Sequence, residues 1–367
     1  MYIDAVNVYY LKMPLVTPWR TAYGEDAYMH TVLVCLNSSG KKGWSETGPL
    51  VTPTYSPEYT YGVYYLLTEF FAHHIKGREI SSPDRLLELL SQYKGNPFAK
   101  AALETAWWTL ESNVKGVPLY KLLGGSLKEV EVGADFGIHD NINELILKME
   151  RAYSSGFKRI KLKVKPGKDN SVLKEVRKHF PDQIIHVDCN SGYTLKDLPV
   201  FIEMDKYNLH MIEQPLAYND LHDHAVLQSK INTPVCLDES INSVKAAREA
   251  LELKSCKLMN IKTGRVGGLK NSVEIIELCK EKGVGCWVGA MLEAGIASGA
   301  GIAISTLDNI VYPGDIFPSG TMCREEISKV EIKLSSPGHM KPLDFPGFPY
   351  EPREDILKKY TVFSKTI

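Results

Sequence analysis

The chain has 367 residues, 44% hydrophobic and 24% charged, which is globular composition with length for one large domain or two smaller ones. Its 43 basic and 44 acidic side chains leave a formal charge of −1 and a pI near 6.8, so nothing electrostatic points to nucleic acid or an anionic membrane as partner. A small-molecule substrate is expected instead.

The opening MYIDAVNVYYLKMPL carries Asp4 early and lacks a basic segment followed by an apolar core, so neither a signal peptide nor a membrane span is expected there. Residues 3–11 and 31–36 read as strands, and Asn37-Ser38-Ser39-Gly40 reads as a turn into a third strand at 41–46. Two stretches rich in Pro, Thr and Tyr, 16–28 and 48–59, read as loops able to close over a site. Helical patterns follow at 57–75, 83–93 and 97–114. Each is entered through Ser-Pro or Asn-Pro, which suits a cap followed by proline at the first helical position. Leu122-Leu123-Gly124-Gly125 closes an α+β region of residues 1–125.

The pattern then changes to short apolar strands alternating with helices, at 159–164, 184–188, 209–213, 234–238, 257–262 and 285–289. Their end residues Lys163, Asp188, Glu213, Asp238 and Lys262 are 25, 25, 25 and 24 residues apart. That period fits one strand–loop–helix–loop unit, and repeated units of this size build a parallel sheet that closes into a barrel. An open doubly wound sheet would carry a glycine-rich turn after its first strand. The nearest match, Gly264-Arg265-Val266-Gly267-Gly268, follows the wrong unit.

Active sites of such barrels lie at the C-terminal ends of the strands. Five consecutive strands ending in Lys, Asp, Glu, Asp and Lys place three carboxylates and two ammonium groups around one opening. Clustered carboxylates repel unless a cation sits among them, and oxygen-only ligands select a hard ion, Mg2+ or Mn2+. His222-Asp223-His224 offers an HxH spacing beyond the Glu213 strand end and is read as solvated surface.

In Arg159-Ile160-Lys161-Leu162-Lys163-Val164-Lys165-Pro166-Gly167 the apolar and basic residues alternate strictly. With Ile160, Leu162 and Val164 against the outer helices, Lys161 and Lys163 face the interior and Lys165 the solvent. Two ammonium charges about 6.5 Å apart repel by roughly 2.5 kcal/mol at an effective dielectric near 20, which makes Lys163 a base tuned by Lys161. Lys262 comes from the last of these five strands, across the opening. Two lysines flanking a metal-bound carboxylate suit removal of the adjacent carbon-bound proton, with the metal stabilising the enediolate. Seven cysteines without a CxxC, several of them in apolar runs, fit a reducing compartment, with the cytoplasm as default.

Lys161-Leu162-Lys163, Asp188-Cys189-Asn190, Glu213-Gln214-Pro215, Asp238-Glu239-Ser240 and Asn260-Ile261-Lys262 together resemble the enolase superfamily, muconate-lactonizing-enzyme subgroup. The known chemistry of that superfamily pairs a Lys or His base with Mg2+. Within the subgroup, HMIEQPL, TPVCLDESI and NIKTGRVGGL are most similar to o-succinylbenzoate synthases and N-acylamino acid racemases. The resemblance implies a modified (β/α)7β barrel at 126–324 and an α+β capping domain at 1–125 completed by the tail 325–367. It implies Asp188, Glu213 and Asp238 as metal ligands and Lys163 and Lys262 as the acid/base pair. Lys161, Asn190, Glu239, Asn260 and Arg265 are implied as supporting residues, Arg265 matching an arginine that neighbours Lys262 in racemase-like members.

The sequence departs from the pattern at Ala294 to Ala300, which lacks the usual arginine, at Gly289-Ala290 where Gly-Gly is usual, and at Thr263 where proline is usual. The alternatives are a dipeptide epimerase, for which Asp315 is the one acidic residue offered near the eighth strand, a muconate-type cycloisomerase, and a non-catalytic carboxylate-binding protein. A homo-oligomer is compatible with the sequence, which carries no mark of oligomeric state.

Overall fold

The computed structural model describes residues 1–367. A four-stranded antiparallel sheet comes first, in the order Thr361–Thr366, Ala5–Thr21, Gly24–Ser38, Lys41–Thr47, so the last strand of the chain pairs with the first. The expected loop at 16–28 is instead the extended tip of a long hairpin that turns at Ala22-Tyr23. Alternation past residue 15 is weak in apolar residues, so the strand continuation left no hydrophobic signal.

Helices cover one face of this sheet. The helix expected from Pro57 starts at Thr60, after Ser56 has turned back on itself to accept from the Glu58 amide. Ser82 caps helix Pro83–Leu89 as expected, accepting from the Arg85 amide. Asn96 does not cap Pro97–Lys115, because its φ of 56° turns its side chain away. Buried Glu58 takes that place, accepting from the Phe98 and Ala99 amides.

The second sheet holds seven parallel strands, Ala134–Phe136, Arg159–Lys163, Ile184–Asp188, Ile212–Glu213, Val235–Leu237, Leu258–Ile261 and Gly285–Val288, in sequence order. The first of them, three residues long, falls below what periodicity resolves. Residues 309–316 run between the two edges. Val311 and Asp315 donate to carbonyls of Cys286 and Val288, Gly314 donates to Glu131, and Gly133 donates to Gly314. These bonds complete the barrel. Ile160, Leu162 and Val164 are buried in one core with Leu145, Met149 and Val176 of the flanking helices, while Lys161 points inward.

Two further buried glutamates join the sheets. Glu104, on the helix of the first region, accepts from the Leu269 and Lys270 amides of barrel helix Leu269–Glu281. That approach requires Gly268, with φ 127°, since a Cβ there would stand 2.2 Å from the Glu104 carboxylate. Glu46, at the end of Lys41–Thr47, accepts from the Ala294 and Ala297 amides at the start of helix Gly295–Ser305.

Candidate active site

Parallel pairing holds one phase across the sheet, so Lys163, Asp188 and Glu213 stand level on adjacent strands. Asp238 and Lys262 follow directly after strands Val235–Leu237 and Leu258–Ile261. Oxygens of Asp188, Glu213 and Asp238 lie within 4.8 Å of one another, and all three residues are fully buried.

Three buried anions this close need cations around them. Lys163 Nζ donates to Asp188 Oδ2 at 2.5 Å, and Lys262 Nζ donates to Asp238 Oδ2 at 2.8 Å. Burial pushes the Asp188 carboxyl up, but Lys161 and Lys163 outweigh it and hold the group well below the usual range. Burial and the Asp188 charge likewise push Glu213 up, and Lys161 with His186 brings it below its ordinary value.

Lys161 is not the isolated second ammonium of the sequence reading. Its Nζ lies 3.0 Å from Asp188, 2.9 Å from Glu213 and 3.0 Å from Asp315, so its charge is matched where it stands. Burial lowers its pKa, and these carboxylates raise it far above the lysine value. The repulsion expected between Lys161 and Lys163 left out the anions that surround Lys161.

The remaining sequence-derived residues fall on the same site. The Asn190 amide donates to Asp188 Oδ1 at 2.9 Å from a backbone at φ 44°, and Asn260 Nδ2 donates to Glu213 Oε1 at 2.7 Å. Arg265 donates to Asp238 Oδ1, to the Ile241 carbonyl and to the Asn260 carbonyl. Glu239 accepts from the Tyr23 hydroxyl, and burial with the neighbouring Asp188 charge pushes its pKa up to about 7. His222 is exposed, but His224 is buried, its Nε2 accepting from the Leu216 amide, so the HxH stretch pins a loop to its helix.

Sequence reasoning missed several neighbours. Tyr55, in one of the two segments read as closing loops, donates to Asp238 Oδ1 at 2.8 Å and lays its ring 4.7 Å from Lys262 Nζ. Tyr23, at the hairpin tip, packs edge-on against Tyr55. Gln214 Oε1 accepts from the Asp238 amide and so fixes the next strand end. Asp135 and Asp315 clamp the buried Arg159 guanidinium at 2.6 and 2.5 Å. From the sequence Asp315 was read only as an acidic residue near the eighth strand, and Asp135 sits on strand Ala134–Phe136, too short to be seen. Above the charged floor the cavity has apolar walls of Trp19, Leu50, Met291, Leu292, Phe317 and Met322.

The donor set suits a hard divalent cation. It is all oxygen, buried and convergent, and Glu213 Oε2 has no well-formed hydrogen bond. A parallel barrel carrying convergent carboxylates and lysines at its strand ends defines the active site of an enzyme.

Comparison with known proteins gives the family. Residues 5–124 match the mandelate racemase / muconate lactonizing enzyme N-terminal domain, and residues 144–356 match the enolase C-terminal domain-like family. The chain is 40% identical over 364 residues to an o-succinylbenzoate synthase of Geobacillus kaustophilus, covering 99% of this chain and 97% of the relative. It is 38% identical over 343 residues to an N-succinylamino acid racemase of Thermus thermophilus, covering 94% and 92%. The solved structure of an enolase superfamily member from Listeria innocua superposes with a TM-score of 0.95 at 33% identity, covering 100% of this chain and 99% of that one. The chain belongs to the mandelate racemase / muconate lactonizing enzyme family of the enolase superfamily. No helix is long and apolar enough to cross a membrane.

Proposed function

We propose that the chain removes the proton α to a carboxylate, acting as an o-succinylbenzoate synthase, as an N-acylamino acid racemase, or as both. In this reading Asp188, Glu213 and Asp238 hold Mg2+, with Mn2+ able to replace it, and Lys163 and Lys262 are the acid/base pair. The cap is residues 1–125 with 325–367, the barrel is 126–324, and seven unpaired, buried thiols suit a reducing cytoplasm.

One observation carries the reading: Lys163 and Lys262 arrive from the second and sixth barrel strands and each is paired with a different carboxylate of one triad. A divalent cation bound there supplies positive charge where the substrate carboxylate gains its second negative charge. Lys163 takes the proton on one face, leaving an enediolate. For racemisation Lys262 returns a proton on the other face. For dehydration Lys163 alone suffices, returning that proton to the departing hydroxyl, which leaves as water while the enediolate collapses, and the Lys262 ammonium stays beside the developing charge. Tyr55 and Arg265 fix Asp238 and with it Lys262. Tyr23, Trp19 and Leu50 cover the mouth and limit water.

The two closest reactions share their first step, so one site serves both. A dipeptide epimerase is less well supported, because both oxygens of Asp315 are already bonded, to Arg159 and to Lys161, and are not free to hold a substrate ammonium. The test is deuterium exchange with Lys262→Ala. Each enantiomer of an N-succinylamino acid is incubated in D2O, and exchange is expected to fail for one and persist for the other. Equal loss for both contradicts separate faces. A parallel screen of the cyclohexadiene carboxylate precursor against N-succinyl, N-acetyl and dipeptide substrates assigns the substrate.

A further inference from the structure

His186 belongs to none of the roles above, yet it is fully buried inside the barrel, two residues before Asp188 on the same strand. Its Nδ1 lies 3.0 Å from the Tyr312 hydroxyl, and its Nε2 lies 3.3 Å from Glu213 Oε2. Neither Nε2 nor Oε2 has a well-formed hydrogen bond, so two buried polar atoms face each other across 3.3 Å. Trp287 and Tyr312 pack edge-on against the imidazole with ring centroids at 5.5 Å, so the ring is held on two sides.

A neutral imidazole carries one N–H. With the proton on Nδ1, the Nε2 lone pair would face the Glu213 carboxylate and a buried acceptor would meet a buried acceptor. With a proton on Nε2, the Tyr312 hydroxyl donates to Nδ1 and the Nε2–H faces Glu213 Oε2 at 3.3 Å, so no buried acceptor is left facing another.

We propose that His186, set in its Nε2–H tautomer by Tyr312, is a positioning residue for Glu213, holding that carboxylate toward Asp188 and Asp238 for a divalent cation. The proposal rests on the metal-site reading above. Asn260 and Lys161 restrain Oε1, and without His186 the Oε2 side rests on Lys161 alone. A ring N–H facing Oε2 from this strand orients the carboxylate from the side opposite Asn260. Partners of this kind around metal-binding carboxylates and imidazoles change affinity by roughly 10–100-fold when removed.

The test is Mn2+ affinity of the full chain, measured by calorimetry and by electron paramagnetic resonance of free Mn2+, with no substrate present. Expected are a roughly 10–100-fold loss in His186→Leu, recovery to within about threefold in His186→Gln, whose amide can donate from a similar place, and an intermediate loss in Tyr312→Phe. Wild-type affinity in His186→Leu overturns the proposal while leaving the metal-site reading intact. Equal losses in the Leu and Gln variants also overturn it, since packing alone would then explain both. A wild-type chain that binds no Mn2+ at millimolar concentration overturns both. Nitrogen-15 spectra of histidine-labelled wild-type protein give an answer that needs no folded variant: a proton on Nε2 is expected, and a ring protonated at Nδ1 alone refutes the assignment.

Discussion

Asp315→Asn tests how the barrel interior tolerates its charge. Asp315 bridges two buried cations, with Oδ1 at 2.5 Å from Arg159 and Oδ2 at 3.0 Å from Lys161. Removing one member of a buried ion network leaves charge uncompensated and costs about 3–5 kcal/mol. At about 2.1 cal/mol/K per residue, unfolding 367 residues has an entropy that turns this loss into a Tm decrease of about 4–6 °C. The loss depends on pH through Asp135. Burial and the Asp315 charge push Asp135 up to about 7, so its folded pKa lies above its unfolded one. Wild-type stability from this group is therefore complete below about pH 4 and is lost as pH rises through about 7. Without the Asp315 charge, the folded pKa of Asp135 falls and that loss shrinks. The penalty of Asp315→Asn is thus larger at pH 5 than at pH 8, where the wild type has already lost the stability that keeping the two carboxylates together costs it. Urea denaturation at both pH values measures it. A loss below 1 kcal/mol at pH 5, or a larger loss at pH 8, refutes the reasoning.

Glu46 gives a second pH effect: burial and the Glu293 charge push it up to about 8, so stability from this group is full below about pH 4.5 and is lost as pH rises through about 8. Glu46→Gln flattens that decline in denaturation curves between pH 5 and 8.5, and an unchanged slope counts against it. Chelation with EDTA removes the proposed activity and Mg2+ or Mn2+ restores it. Asp188→Asn is expected to lower the activity at saturating Mg2+ by at least 100-fold while the far-ultraviolet circular dichroism stays wild-type, and a variant with near wild-type turnover excludes Asp188 from the centre.

The charged strand ends were legible because parallel strands share a phase, so residues that converge in space recur at a fixed interval along the chain. Lys163, Asp188, Glu213, Asp238 and Lys262 are therefore visible in one dimension. Asp135 escaped because strand Ala134–Phe136 is too short to show alternation. Tyr23 and Tyr55 escaped for another reason: their segments were read as closing loops, but which aromatic meets which carboxylate depends on how the cap docks, and no local pattern encodes that. The Lys161 error has the same origin. Counting charges along one strand finds the two ammoniums, whereas the compensating Glu213 and Asp315 come from strands and loops far away in sequence.

Docking of the cap follows from the capping glutamates. Glu104 bonds to the start of helix Leu269–Glu281, which follows the Thr263 to Gly268 turn behind Lys262 and Arg265. Glu46 bonds to the start of helix Gly295–Ser305, which follows the Gly289 to Glu293 turn at the end of the next strand. At Gly289 a Cβ would stand 2.2 Å from Asn260 Oδ1, so that turn is pressed against a partner of Glu213. The cap is thus bonded to the very turns that support the site, and its body cannot lift without uncapping two barrel helices. The hairpin tip at Thr21 to Gly24 and residues 48–59 bring Tyr23 and Tyr55 over the same cavity. There the Tyr23 hydroxyl donates to Glu239 and the Tyr55 hydroxyl to Asp238, so the first region bonds directly to two carboxylates at the barrel strand ends as well as to the helices behind them.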